Sequence, residues 1–172
     1  MLDEPVSPRR GRTIGLGLLV GMVLGSGGAL ISDRRSGRVF STDELCRALP
    51  GPLLERLPCQ GNGRPNDGWI APIQLLADGP LANDESVALI PVGSISPADL
   101  DGFATRLNQA LGPQKKLLIS TDLLATRNCN TQLLLTTPGG AKHEQLRQLR
   151  AQLALQGAHV AGWVLLDTNL EA

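Results

Sequence analysis

One stretch constrains this chain more than any other. From Thr13 to Ser32 the sequence TIGLGLLVGMVLGSGGALIS carries no charged side chain. As a helix rising about 1.5 Å per residue, such a run reaches across the ~30 Å hydrocarbon core of a bilayer. It is longer than the apolar core of a secretory signal, and Ala29-Leu30-Ile31 is not a small-x-small cleavage site. Arg9 and Arg10 invite a twin-arginine export reading, but Gly11-Arg12 follows where that signal takes an apolar pair. Gly17, Gly21 and Gly25 fall four apart, with Ala29 continuing the row, so they share one helix face. In lipid, such a small-residue stripe lets two backbones approach closely. The sequence therefore predicts a single transmembrane α-helix over 13–32, with Gly17, Gly21, Gly25 and Ala29 as its packing face. A cleaved export signal releasing a secreted, soluble protein is the alternative. Arginines flank both ends (Arg9, Arg10 and Arg12 before; Arg34, Arg35 and Arg38 after), so loop charge gives no orientation.

Charge and aromatic content narrow the function classes. Sixteen basic and sixteen acidic side chains leave a net charge of zero, without the basic excess that nucleic-acid binding requires. The aromatics are Phe40, Trp69, Phe103 and Trp163, with no tyrosine, which argues against base-stacking platforms. Outside the apolar run the chain is long enough for one modest domain, whose core must be built from Leu, Ile, Val and Ala. Cys46, Cys59 and Cys129 are odd in number and lack C-x-x-C spacing, which predicts unpaired, mostly buried thiols. With His143 and His159 they make no metal-binding knuckle, so no metal and no cofactor is expected.

Beyond the run, the pattern divides the chain into 1–12, the helix 13–32, a segment 33–59, a linker with a weak helix over 60–84, and an α/β domain over 85–172. Ser41 and Glu44 have capping-box spacing, predicting a short helix that ends near Leu49 before Pro50-Gly51-Pro52. Leu53 to Leu57 reads as a short strand closed by Pro58. QGNGRPNDG over 60–68 is loop by composition, and weak helical character follows at Ile73 to Ala77. VALIPV (87–92) is a continuous apolar run, as in a strand buried on both faces. A helix follows with Ser96 as N-cap, Pro97 at N1 and Asp99 at N3. Its stripe is Leu100, Phe103, Leu107 and Leu111, and Gly112-Pro113 stops it. KLLIST (116–121) and QLLLTT (132–137) are strands, with a connection between them that is short for a parallel crossover. A second helix turns Leu146, Leu149 and Leu153 inward and Arg147 and Arg150 outward, with Gly157 at its end; HVAGWVLLD (159–167) is the last strand. Strand-helix alternation of this size predicts a small α/β domain with a mostly parallel sheet.

In this order the parts resemble two linked families. Residues 5–58, with prolines before a glycine-rich helix, a basic stretch, the Ser-Thr-Asp-Glu-Leu helix start and a Leu-rich strand, resemble the C-terminal end of the polysaccharide co-polymerases, the chain-length determinants. Residues 85–167 are similar to the P-loop domain of the bacterial tyrosine kinases fused to such proteins, most closely over NTQLLLTTPGGAKHEQLRQLRAQLALQGAHVAGWVLLD. The resemblance implies residues 1–12 periplasmic, the bulk of the chain cytoplasmic and a single pass through the bacterial inner membrane. It also implies a homo- or hetero-oligomer with a polysaccharide co-polymerase or polymerase. The family's first transmembrane helix and large periplasmic domain are absent from this sequence, as from a reduced form or an internal start at Met1.

The chemistry of that kinase-like family does not carry over. GSISPADLDGF follows the first domain strand with Gly93 but no lysine, Pro97 removes a donor, and Asp99 and Asp101 repel an anion at the helix start. Ser120 stands where the family has the first aspartate of an acidic pair. Asp122 remains, and a lone aspartate at a strand end reads as a turn or cap residue. TTPGGAKH, with Gly139, Gly140 and Lys142 before a helix, has superficially the outline of an anion-binding loop, and its simpler reading is a plain strand-to-helix turn. No catalytic residues are expected. The sequence reading is a non-catalytic, membrane-anchored scaffold or regulator of chain length and export in surface-polysaccharide assembly. The alternative is a kinase or ATPase with an atypical nucleotide site.

Overall fold

The computed structural model describes residues 37–59 and 67–167. The chain divides into two compact units, Met1–Gly37 and Arg38–Ala172, and the fold below is that of the second. Its elements are α1 (Thr42–Ala48), β1 (Leu53–Pro58), a 3-10 turn (Asp67–Trp69) running into α2 (Ile70–Asp78), β2 (Ser86–Val92), α3 (Pro97–Leu111), β3 (Lys116–Ile119), α4 (Leu123–Thr126), β4 (Thr131–Thr136), α5 (His143–Gln156) and β5 (Val160–Asp167).

The five strands form one sheet in the order β1-β5-β4-β2-β3, and every pairing is parallel. Apolar side chains leave each central strand on both faces, as a sheet covered on both sides requires. Val87, Leu89, Leu133, Leu135, Val164 and Leu166 point one way, into a core shared with Ile73 and Leu76 of α2 and Phe103 and Leu107 of α3. Ile90, Val92, Leu134, Trp163 and Leu165 point the other way, against Leu45 of α1, Leu123 of α4 and Leu146 and Leu153 of α5. The expected parallel α/β sheet is therefore present, as the middle of three layers.

Residues 38–59 share this domain's core. Leu53–Pro58 pairs along β5 as an edge strand, and Leu45 and Leu49 of the preceding segment are buried under α5's side of the sheet. The helix after Asp67 is longer than the sequence reading had it. Trp69 closes its start: its indole Nε1 donates to the Pro58 carbonyl at 2.7 Å, and its ring meets Phe103 edge-on at 6.2 Å. The guanidinium of Arg106 lies 5.8 Å from the same ring, on its face.

Pro91 sits in a central strand, where the missing N–H would normally break a ladder. The break costs little here because β3 is short. Leu89 faces β3, its carbonyl accepting from Ser120 N at 3.2 Å, and Pro91, two residues on, faces the same side just beyond the point where β3 ends. On the other side β2 stays paired to β4 up to Val92–Thr136. The crossover from β3 to β4 is short, as the sequence indicates, yet parallel: the single turn of α4 carries it.

Three expectations need correction. Among the described residues no helix is long and apolar enough to cross a membrane. The longest, α3, has 15 residues, and at about 1.5 Å each these fall short of a ~30 Å hydrocarbon core; it also carries Asp99, Asp101 and Arg106. The run 13–32, with Gly17, Gly21, Gly25 and Ala29, lies outside the described residues. The structure does not support a single-pass inner-membrane protein built on a transmembrane helix. Second, Ser41 and Ser96 occupy N-cap positions but make no side-chain cap hydrogen bond; Glu44, the other half of the expected box, lies 4.0 Å from His143 of α5. Third, of the three free cysteines only Cys59 is buried, while Cys46 is exposed and Cys129 half-buried.

Candidate functional site at the strand carboxyl ends

A doubly wound parallel sheet binds its ligand outside the carboxyl ends of the strands, where the strand order reverses. That point here lies between β2 and β4. From β2 the chain runs through α3 on one face to β3, and from β4 it runs through α5 on the other face to β5. The loops Gly93–Ser96 and Thr137–Lys142 are therefore where a site would form.

These loops are hydrogen-bonded to each other. Ser94 N–H donates to the Gly140 carbonyl at 2.8 Å, the Thr137 hydroxyl donates to the Ser94 carbonyl at 3.0 Å, and the buried Thr136 hydroxyl donates to the Val92 carbonyl at 3.1 Å. Gly93 makes the contact sterically feasible. It takes φ +82°, and a Cβ there would overlap the backbone of Gly140.

A third segment packs along the β4–α5 loop. Val39, fully buried, donates through its N–H to the Ala141 carbonyl at 3.0 Å and accepts from Gly139 N–H at 2.8 Å. Arg38 forms an antiparallel bridge with Lys142, so residues 38–40 lie along the β4–α5 loop as a strap. Phe40 then lays its ring over Gly139.

The electrostatic consequence is specific. In an anion-binding loop the backbone N–H groups point at the ligand. In TTPGGAKH, Gly139 N–H donates to Val39, Gly140 N–H donates to the Thr137 carbonyl at 3.0 Å, and Lys142 N–H donates to Gln145 Oε1 at 3.0 Å. Across the crevice Ser94 N–H is bonded as well, and the first turn of α3 holds the buried carboxylate of Asp99. Of the two readings of TTPGGAKH, the strand-to-helix turn is the one whose bonds are formed.

The other sequence-picked residues also have structural partners. Asp122 is the N-cap of α4: its Oδ1 accepts from Leu124 N–H at 2.9 Å, and its own N–H donates to the Ser120 hydroxyl at 3.0 Å. His143 opens α5 beside Glu44, and His159 is exposed at the start of β5. No group of three His, Cys, Asp or Glu side chains among the described residues could hold a metal ion. Burial pushes the Cys129 thiol up from its ordinary range, with the Lys116 ammonium pulling the other way. Sequence reasoning missed the strap, because pairing of residues 38–40 with a loop a hundred positions away leaves no local signature. It also missed the Ser94–Gly140 link, for which the Gly-Gly pair was the one available sign.

Compared with protein-family models, curated proteins and solved structures, the chain gives no match.

Proposed function

We propose that this chain is a non-catalytic binding module of surface-polysaccharide assembly, acting on chain length or export through contacts with a polysaccharide co-polymerase or polymerase. The observation that carries the non-catalytic half is the closed switch point. The two loops where a sheet of this kind would hold a nucleotide are bonded to each other through Ser94 N–H and Gly140, and the strap lies along one of them with Phe40 on Gly139. The polysaccharide half rests on the likeness of residues 85–167 to kinase-like domains of that machinery. A fold whose ligand loops are bonded to the chain itself still offers its helical faces to other proteins, as a scaffold or a homo- or hetero-oligomer subunit does.

Titration of the full chain with magnesium-ATP tests the first half: no saturable binding is expected in the micromolar range, and clear magnesium-dependent affinity there overturns it. Deleting the gene in its host and measuring the length distribution of surface polysaccharide tests the second: an altered distribution is expected, and an unchanged one removes the assignment.

A further inference from the structure

The groove between α1 and α5 carries a cluster that the closed switch point does not use. A hollow of about 210 Å³ opens there, lined by Ala48, His143, Arg147 and Arg150. Three of the four lining residues are basic or can become so, and no carboxylate is among them. His143, Arg147 and Arg150 fall at i, i+4 and i+7 along α5, so one helix face brings them together.

Two features distinguish this arrangement from a solvated charged face. Arg150 is held in place, its Nη1 donating to the Arg47 carbonyl in the last turn of α1 at 3.0 Å. Its guanidinium is thus oriented before any ligand arrives, and its remaining donors keep their fork geometry. The nearby acids are also too few and too loosely placed to satisfy the cations. Glu144 reaches Arg147 at 3.7 Å with both side chains largely exposed, and Glu44 stands 4.0 Å from His143. Neither carboxylate lines the hollow, so the basic side chains of α5 border it together with Ala48 of α1.

We propose that the hollow bounded by Ala48, His143, Arg147 and Arg150 is a binding site for one phosphoryl group carried on a small molecule. Size and chemistry both favour this class. The volume suits a single oxyanion and is below the ~300–1,000 Å³ typical of sites that enclose a whole organic ligand. Two guanidinium forks match the terminal oxygens of a phosphate, and charge-assisted bonds of this kind are stronger than neutral ones. The hollow lies between α1 and α5 and no residue of the strap lines it, so the proposal stands independently of the reading of the switch point.

The test is calorimetric titration of the full chain with inorganic phosphate, glucose 1-phosphate and, as a carboxylate control at equal ionic strength, glucuronate. Phosphatidylcholine vesicles with and without phosphatidic acid form a further arm that separates a lipid headgroup from a soluble ester. Saturable binding of the soluble phosphates is expected, weakened about tenfold by R147Q, as loss of one charge-assisted contact implies. R127Q, on an exposed residue of another element, should leave it unchanged. Because Arg150 also binds α1, R150K serves as the variant that keeps the charge and α1's partner while losing the fork; it should weaken phosphate binding without lowering the melting temperature. Glucuronate binding as tightly as phosphate, equal loss in R147Q and R127Q, binding only to phosphatidic acid vesicles, or no saturable binding of phosphate each overturns the proposal.

Discussion

The ring of Phe40 rests directly on Gly139, so closely that a β-carbon at 139 would collide with three ring atoms. Residue 139 also takes φ +69°. The contact joins the strap to the β4–α5 loop, and it accounts for glycine at that position twice over.

The two causes separate in a double-mutant cycle. G139A should destabilise the fold by more than the ~1–2 kcal/mol that a left-handed conformation costs a residue with a β-carbon. F40A combined with it should recover the steric part and leave the conformational part. Urea unfolding of the two single variants and the double one measures this; strict additivity would show that ring and glycine are not in contact.

Helix α5 offers a contrast between two leucines two residues apart. Leu153 is 2% exposed and Leu155 is 87% exposed. L153A should cost about 2–5 kcal/mol, the range for emptying a packed leucine site. L155A should stay within about 0.5 kcal/mol, as for a surface position. Equal effects in chemical denaturation would mean that α5 packs in a different rotation.

Gln132 is 1% exposed in the middle of the sheet, and its Oε1 has no hydrogen-bond partner. Its Nε2 reaches only a long 3.4 Å contact to the Thr126 hydroxyl. Burial of an unsatisfied acceptor is costly, whereas an apolar side chain of similar shape is not. Q132M should therefore leave the melting temperature unchanged or raise it. A clear loss on thermal unfolding would reveal a bond that the amide makes and methionine does not.

For Cys129 the direction of the pH effect follows from burial. Desolvation raises the thiol above its ordinary value of 9.0, outweighing the nearby Lys116 ammonium. The folded chain then holds the proton to higher pH than the unfolded chain does. Its contribution to stability is complete below that ordinary value and declines as pH rises through the folded one. In a variant retaining Cys129 alone, the midpoint of iodoacetamide reactivity against pH should lie higher folded than in urea. A folded midpoint at or below the unfolded one contradicts this.

Most of the local structure is legible in the residues. VALIPV, QLLLTT and VAGWVLLD are apolar runs with polar or turn-forming flanks, and each becomes a strand buried on both faces. Pro97 opens α3, Gly112 stops it, and Gly157, at φ +63°, ends α5. These readings succeed because backbone restriction and side-chain periodicity act within a few residues. Asp122 as a cap belongs to the same class: its bond to Leu124 N–H spans two positions.

What tertiary structure decided is of longer range. LLERLP reads as a short strand by itself, but nothing within it says that its neighbour is β5, more than a hundred residues later. The turn of α4 is too brief to show periodicity, so the parallel return from β3 to β4 emerges only from the sheet. The switch point is decided in the same way. Its Gly-Gly loop reads by sequence most simply as a turn, with an anion-holding loop as the other possibility that the residues alone do not remove. The choice falls to Val39 and Ser94, because a backbone N–H already bonded to a carbonyl has no donor left for a ligand, and those bonds exist only once three distant segments have been brought together.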